Sequence, residues 1–363
     1  MGFEIDFLPV GDSEKGGDAI ALRYGKLDGI RSEQVVIVID GGTKESGENL
    51  VSHIREYYKT NQVNYIISTH PDADHSSGLT VVLENLKVDN LLIHRPWEHV
   101  QDIKDAFKNG RITGKGLKES IKKSLENAYE LETIAKSKGI PIFEPFSDLS
   151  KKKDDKFIIL GPSEEFYENL LPNFRETPEP KEAAVWSKEL VNFLKGDIKL
   201  IAEIWGIETL TDPEEWNTSA ENNTSTILLL QLNGKKFLFT SDAGIEALNN
   251  AIKKAESLGI DLREVDFLQI PHHGSKHNVG PTILNRIIGE RLQEQKHLKT
   301  VYVSAPKNGD PKHPSRKVVN ALKRRGAEVY ATKGIPICQR SPDAPDRGWR
   351  KLDPLPFYEQ VAE

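Results

Sequence analysis

Within six consecutive positions the chain reads His70-Pro71-Asp72-Ala73-Asp74-His75, two imidazoles and two carboxylates directly behind the apolar run Tyr65-Ile66-Ile67. Carboxylates this close repel one another when ionised and leave polar atoms unpaired when they are not, so such a cluster at a strand end asks for a cation. Imidazole nitrogen and carboxylate oxygen without thiolate suit zinc, manganese or iron. A single His beside an Asp in a loop is most often a surface hydrogen-bond pair, but four such groups behind a buried strand reverse that expectation. On an extended strand His70 and Asp72 project to the same side, because side chains alternate with period two, and Asp74 and His75 follow past the turn. Two ligand pairs facing from two directions are what a two-metal centre requires, with the ions about 3.5 to 4 Å apart.

The elements that must position these groups follow from the pattern on either side. Residues 3–9 and 18–24 read as strands joined by a polar, glycine-rich connection from Gly11 to Asp18. The run Gln34 to Ile39 reads as a strand buried on both faces, ending in Asp40-Gly41-Gly42. That acid either makes a tight turn or lends a supporting carboxylate to a neighbouring site. A helix is predicted over 47–60, and a second starts at Ser76-Ser77-Gly78 with Leu79, Val81, Val82 and Leu86 on its apolar face. After a strand at 90–94 the sequence turns charged and helix-rich. Residues 96–219 read as an insertion over the site, with one long helix at 115–138, short strands at 141–143 and 157–160, and a polar linker from Glu176 to Pro180. His94 and His99 flank its start and read as ordinary histidines rather than extra ligands. Strands return at 226–232 and 236–240 around Asn233-Gly234, a hairpin that aims Ser241-Asp242 out of a strand end. A helix over 244–257 precedes strand 266–270, which ends in Pro271-His272-His273-Gly274-Ser275. Strand 300–304 leads to His313-Pro314-Ser315, then helix 315–325 and strand 328–331, and 336–363 reads as a loosely packed tail anchored by Trp349. Four strands thus end in residues of ligand type, as expected where the loops of a layered α/β fold converge at one edge.

With 363 residues and 37% hydrophobic side chains the chain can bury a sizeable core. A net charge of −6 excludes a nucleic-acid footprint over the whole surface, and Lys104, Lys108, Arg111, Lys115, Lys118, Lys122 and Lys123 read as a solvated helix face. No apolar run approaches the roughly 20 residues of a membrane span, and the first ten residues lack a signal peptide's pattern, so a cytoplasmic protein with no membrane partner is expected. The single cysteine, Cys338, excludes an intrachain disulfide and reads as a small apolar residue.

The order His-x-Asp-x-Asp-His behind a strand, an Asp behind a hairpin, then Pro-His-His-Gly-Ser behind another strand resembles the metallo-β-lactamase superfamily. More narrowly it is similar to the soluble hydrolase domain of the ComEC group of competence DNA-uptake proteins and its stand-alone relatives. Phe7 to Gly11, Gly17 to Ile20, Asp40 to Gly42, Asn222 to Ser225, Leu238 to Asp242 and His313 to Ser315 carry the likeness too. The resemblance implies an α/β fold, an αββα sandwich over 1–335 with the metals at one end. It implies that His70 and Asp72 hold one ion, Asp74 and His75 the second, and that Asp242 bridges. His273 would complete the second site, with His272 as the alternative. Asp72 stands where the family usually has a His, and a third His is replaced near Asn222-Asn223, so the first site is poorer in nitrogen. Two divalent ions are expected, zinc first and manganese as the alternative.

The activity implied is hydrolysis of a phosphodiester by a metal-bridging hydroxide, on nucleic acid or a nucleotide. Asp74 would orient the hydroxide, His313 would donate to the leaving oxygen, and Asn223, Ser225, Ser275 and His313 would bind substrate. Two alternatives stand beside it. One is hydrolysis of a lactone, thioester or β-lactam on the same metals, and the other is a non-catalytic regulatory module with a weakened metal site.

Overall fold

Alternation along the first strands decides which way the chain folds. In β1 (Gly2–Phe7), Phe3, Ile5 and Phe7 face one side while Glu4 and Asp6 face the other, and all are buried. The computed structural model describes residues 1–11, 16–100, 114–150, 156–174, 200–213, 218–308 and 313–362. It has two mixed sheets packed face to face with helices on their outer faces. The first contains β1, β2 (Ala19–Gly25), β3 (Gln34–Gly41), β4 (Gln62–Ser68), β5 (Lys87–Ile93), β6 (Ile142–Phe143) and β14 (Ile337–Arg340), in the order β14-β1-β2-β3-β4-β5-β6. The second contains β7 (Phe157–Gly161), β9 (Ile227–Leu232), β10 (Lys235–Phe239), β11 (Phe267–Gln269), β12 (Lys299–Val303) and β13 (Ala327–Ala331), in the order β13-β12-β11-β10-β9-β7. A small pair joins β8 (Leu200–Ala202) to β15 (Gln360–Ala362).

Between the sheets lies an apolar layer that includes Phe7, Ile37, Ile39, Leu228, Phe237 and Phe267. Separate cores cover the outer faces, one under helices α1 (Lys44–Tyr57) and α2 (Ala73–Asn85), the other under the helices Ile245–Ser257, Pro281–Ile288 and Arg316–Arg324. β3, β4 and β5 run parallel, as do β10 to β13, so the C-terminal ends of each set collect at one edge. At that edge the Thr226 N–H donates to the Thr69 carbonyl at 2.9 Å, tying the two sheets together.

Several expectations change. α2 starts at Ala73 with Asp72 as its N-cap, so Asp74 and His75 lie in its first turn rather than before it. The expected single helix over 115–138 is two, Gly114–Ser124 and Glu126–Ser137, broken where Leu125 leaves helical geometry (φ −111°, ψ 41°). Within the stretch 96–219, β6 adds an edge strand to the first sheet and β7 one to the second, so this segment extends both sheets besides adding helices. The tail is strand-paired through β14 and β15, and its anchor is Arg347, bonded to buried Glu4 at 2.6 Å and Asp6 at 3.3 Å, with half-buried Trp349 beside it. In the basic stretch, Lys118 pairs with Glu98 and Lys122 sits over the Tyr129 ring; Lys104, Lys108 and Arg111 lie outside the described residues, as does the linker from Glu176 to Pro180.

Candidate metal centre

β4 delivers Ser68 to the sheet edge, and the chain turns through Thr69 and His70 into α2. Gly78 lets that helix approach β3, because a Cβ there would meet the Gly41 carbonyl oxygen at 2.0 Å. β10 delivers Thr240-Ser241-Asp242 and β11 delivers Pro271-His272-His273 to the same edge. Asp40, Ser241, His272 and His273 all have positive φ, between 46° and 54°. Non-glycine residues in that region cost about 1 to 3 kcal/mol each and persist only where the surroundings enforce them. Here the enforcing bonds are visible. The Gln269 amide oxygen accepts from the Thr240 and Ser241 N–H groups, each at 3.2 Å, and the His272 N–H donates to the Ser241 carbonyl at 3.0 Å.

Each of four imidazoles is held at Nδ1. His75 Nδ1 bonds Asp40 at 2.9 Å, His273 Nδ1 donates to the Ser304 carbonyl at 2.8 Å, and His272 Nδ1 faces the Asn278 amide oxygen at 3.0 Å. His70 Nδ1 lies 3.1 Å from the Thr69 hydroxyl and 3.3 Å from that of Ser241. Such partners fix ring orientation and leave Nε2 as the ligating atom. Three of those Nε2 atoms converge on one carboxylate oxygen of Asp242, at 3.6 Å from His75, 3.7 Å from His272 and 3.9 Å from His70. His273 gathers instead with Asp74 and His75, their ligand atoms all within 4.8 Å of one another.

Charge follows geometry. Burial opposes ionisation of Asp242, but His272, His75, His70 and His273 together hold its carboxyl well below the usual range. Burial likewise opposes a charged His75, and Asp242, Asp40 and Asp74 outweigh it, raising that imidazole well above its ordinary value. The buried atoms His70 Nε2, His75 Nε2 and Asp242 Oδ1 have no hydrogen-bond partner among the described residues. Orphaned buried nitrogen and carboxylate oxygen, with the opposite ring nitrogens tied, fit divalent metal.

The remaining expected residues are placed as follows. Asp72 does not join these groups, although its carboxylate makes no capping bond to α2. Asn223, at the end of the short helix Ala220–Asn223, and Ser225 just after it are buried: the Asn223 amide oxygen accepts from the Gly244 N–H and the Ser225 hydroxyl from the Asp242 N–H, each at 3.2 Å. The Ser275 hydroxyl accepts from the His277 N–H at 3.2 Å. His313 is half-buried, and its loop rests on the histidine turn, the Ser315 N–H donating to the Gly274 carbonyl at 3.0 Å.

His94 and His99 lie outside the cluster around Asp242 but are buried rather than superficial. Burial pushes His94 down to about 3 as it stacks on Tyr167, while Glu144 and Glu168 overcome burial and push His99 up to about 9. Sequence reasoning did not assign a role to Asp18, which gathers with His75 and Asp242 within 4.8 Å. Its signal was an acid opening a buried strand behind two glycines. Thr69, Ser241, Gln269 and Asn278, which hold the ligand turns, had no such signal.

A family model described as the metallo-beta-lactamase superfamily matches residues 30–173, the segment that carries Asp40 and the His70 to His75 cluster. Over that segment the chain is similar to that superfamily. The match falls on a chain with a buried His/Asp candidate metal site. Among curated relatives it is similar to "ComE operon protein 3" of Bacillus subtilis (strain 168), 28% identical over 120 residues. That match spans 33% of this chain and 14% of the relative. Among solved structures it is similar to a CmlA beta-hydroxylase mutant, with a TM-score of 0.41 and 12% identity over 93% of this chain and 54% of that one. The Rm3 metallo-beta-lactamase gives a TM-score of 0.29 and 13% identity over 75% and 80% of the two chains. Among the described residues no helix is long and apolar enough to cross a membrane.

Proposed function

We propose that this chain is a metal-dependent hydrolase of the metallo-beta-lactamase superfamily, a phosphodiesterase or nuclease acting on nucleic acid or a nucleotide. The observation that carries the reading is the set of four histidines tied at Nδ1, divided between Asp242 and Asp74. That division supports two neighbouring subsites, His70 and Asp242 serving the first, and Asp74, His75, His273 and Asp242 the second; Asp72, the other expected first-site ligand, stands outside these groups. The grouping of His273 with Asp74 and His75 favours it over His272 as the second-site ligand, and His272 then braces Asp242. Divalent ions bound there supply Lewis acidity and bring the pKa of water near neutrality. The donor set is rich in oxygen, which keeps manganese beside zinc as the ion.

Asp74, half-buried at the mouth, orients the attacking water and takes its proton. His313, on the loop that rests against Gly274, donates to the leaving oxygen. Asn223, Ser225 and Ser275 hold the loops that carry Asp242 and His272. The likeness to the ComEC group supports nucleic acid as the polymer. The test incubates zinc- or manganese-loaded protein with single-stranded DNA, RNA and cyclic dinucleotides, beside Asp74→Ala and a panel of β-lactams, lactones and thioesters. Phosphodiester cleavage reduced at least about 100-fold by Asp74→Ala is expected; equal turnover by both proteins, or turnover of the panel alone, would sink the assignment.

A further inference from the structure

The end of the glycine-rich connection, Gly16-Gly17-Asp18, has no part in the ligand scheme above, yet it reaches the centre of the site. Gly17, at φ 154°, lies so close to α2 that a Cβ would meet the Asp74 carbonyl oxygen at 1.9 Å, and one on Gly16 would come 3.1 Å from His273 Nε2. The loop is therefore pressed against two ligand-bearing segments, and the next residue, Asp18, is carried inward to 2% exposure. One oxygen of Asp18 accepts from Gln269 Nε2 at 2.5 Å. That amide is oriented from its other end, since its oxygen accepts from the Thr240 and Ser241 N–H groups. The second oxygen, Oδ1, has no hydrogen-bond partner among the described residues. Among the described residues the one ion pair of Asp18 is to His75 Nδ1 at 3.9 Å, a nitrogen already bonded to Asp40 at 2.9 Å. A buried carboxylate oxygen left unpaired is costly, and Asp18, His75 and Asp242 each offer a ligand atom within 4.8 Å of the others.

We infer that Asp18 is a further carboxylate ligand of the metal centre, offering its unpaired Oδ1 beside His75 and Asp242, with which it groups. This rests on the reading of the site as a metal centre. It gives the centre one more oxygen donor than the His70 to His75, Asp242 and His273 set, and so shifts its preference toward harder ions such as manganese. Gly17 is required, because a side chain there would strike the Asp74 carbonyl and hold the carboxylate away from the site, while Gly16 leaves room for the His273 ring.

Asp18→Asn retains the size and the acceptor for Gln269 while replacing the ligating oxygen by an amide nitrogen. Wild type and variant are loaded with cobalt(II) or manganese(II), and metal per chain, affinity against a competing chelator and the cobalt visible spectrum are measured. Expected are a changed cobalt spectrum, at least about tenfold weaker binding of one ion, and an unchanged or higher thermal midpoint for the metal-free protein. A residue that merely props Gln269 keeps that bond as asparagine and would leave the cobalt spectrum and the metal affinity unchanged, and that result overturns the inference. Wild-type protein that binds no ion overturns the metal-centre reading itself, which is a separate result. Crystals of wild-type protein soaked in manganese decide the matter independently of the variant. An Asp18 oxygen at about 2.2 Å from the ion supports the inference, and one beyond hydrogen-bond distance refutes it.

Discussion

Replacing Asp40 by asparagine changes one atom and one charge in a residue that touches no substrate. Asp40 Oδ1 accepts from the Thr69 N–H at 2.9 Å, and Oδ2 accepts from the Thr69 hydroxyl at 2.6 Å and His75 Nδ1 at 2.9 Å. Asparagine tolerates the left-handed backbone at this position, φ 53°, so the turn survives. Its amide must place oxygen against the Thr69 N–H, which cannot rotate away, and therefore NH2 against His75. The Thr69 hydroxyl can turn to accept, but His75 loses its acceptor and is driven to the tautomer that carries hydrogen on Nε2, the atom aimed at Asp242. Loss of such a supporting carboxylate weakens metal binding by about 10 to 100-fold, or about 1.4 to 2.7 kcal/mol. Competition against a chelating dye at fixed pH and ionic strength measures it, with circular dichroism as the check on folding. A folded Asp40→Asn protein that binds zinc and manganese within twofold of wild type would refute the tautomer argument.

Three further perturbations follow from the same structure. His99 sits between Glu144 and Glu168 and is pushed up to about 9, so its contribution to stability is fully present below about 6.5 and is lost as pH rises through about 9. That amounts to about 3 kcal/mol, read as a fall in the urea midpoint between pH 6 and pH 10 that His99→Gln abolishes; an equal fall in the variant would count against it. Gly17→Ala puts a Cβ 1.9 Å from backbone, whereas Gly139→Ala, also at positive φ, meets nothing within 4 Å. The first substitution is expected to cost at least about 2 kcal/mol more than the second in chemical denaturation, and equal costs would show that the loop after β1 relaxes freely. Arg324→Met leaves the Glu203 carboxylate buried without its partner, which lies at 2.5 Å, and costs about 3 to 5 kcal/mol. Adding Glu203→Met should recover much of that loss, and no recovery would mean that the arginine's bonds to the Trp205, Ile204 and Ile207 carbonyls dominate.

The sandwich and its loaded edge were legible because both are written in local patterns. Alternation in β1, the apolar run of β3 and the Asn-Gly hairpin each report a strand from within a few residues. The ligand types at His70 to His75, Asp242 and His272-His273 report a strand end in the same way. Misplaced boundaries came from competing local signals. Ser76-Ser77-Gly78 looks like a helix start, but the turn that brings His75 under Asp40 must begin earlier, at Asp72. A polar stretch with helical spacing conceals the break at Leu125, and the strands β6 and β7 are too short to mark their own sheet partners.

The sequence by itself determined which residue types the chain can offer a cation, because imidazole and carboxylate chemistry belongs to the side chain wherever it lies. It also determined that these residues sit at strand ends, because strand periodicity is a near-neighbour property. Only the tertiary structure decided which nitrogen of each histidine is tied, that His273 joins Asp74 while His272 meets Asp242, and that Asp18 comes within reach of both His75 and Asp242. Those relations cross between the two sheets, from Asp18 to Gln269 and from Thr69 to Ser241 and Thr226. Contacts between residues so distant along the chain depend on how the sheets pack, and no local spacing encodes them.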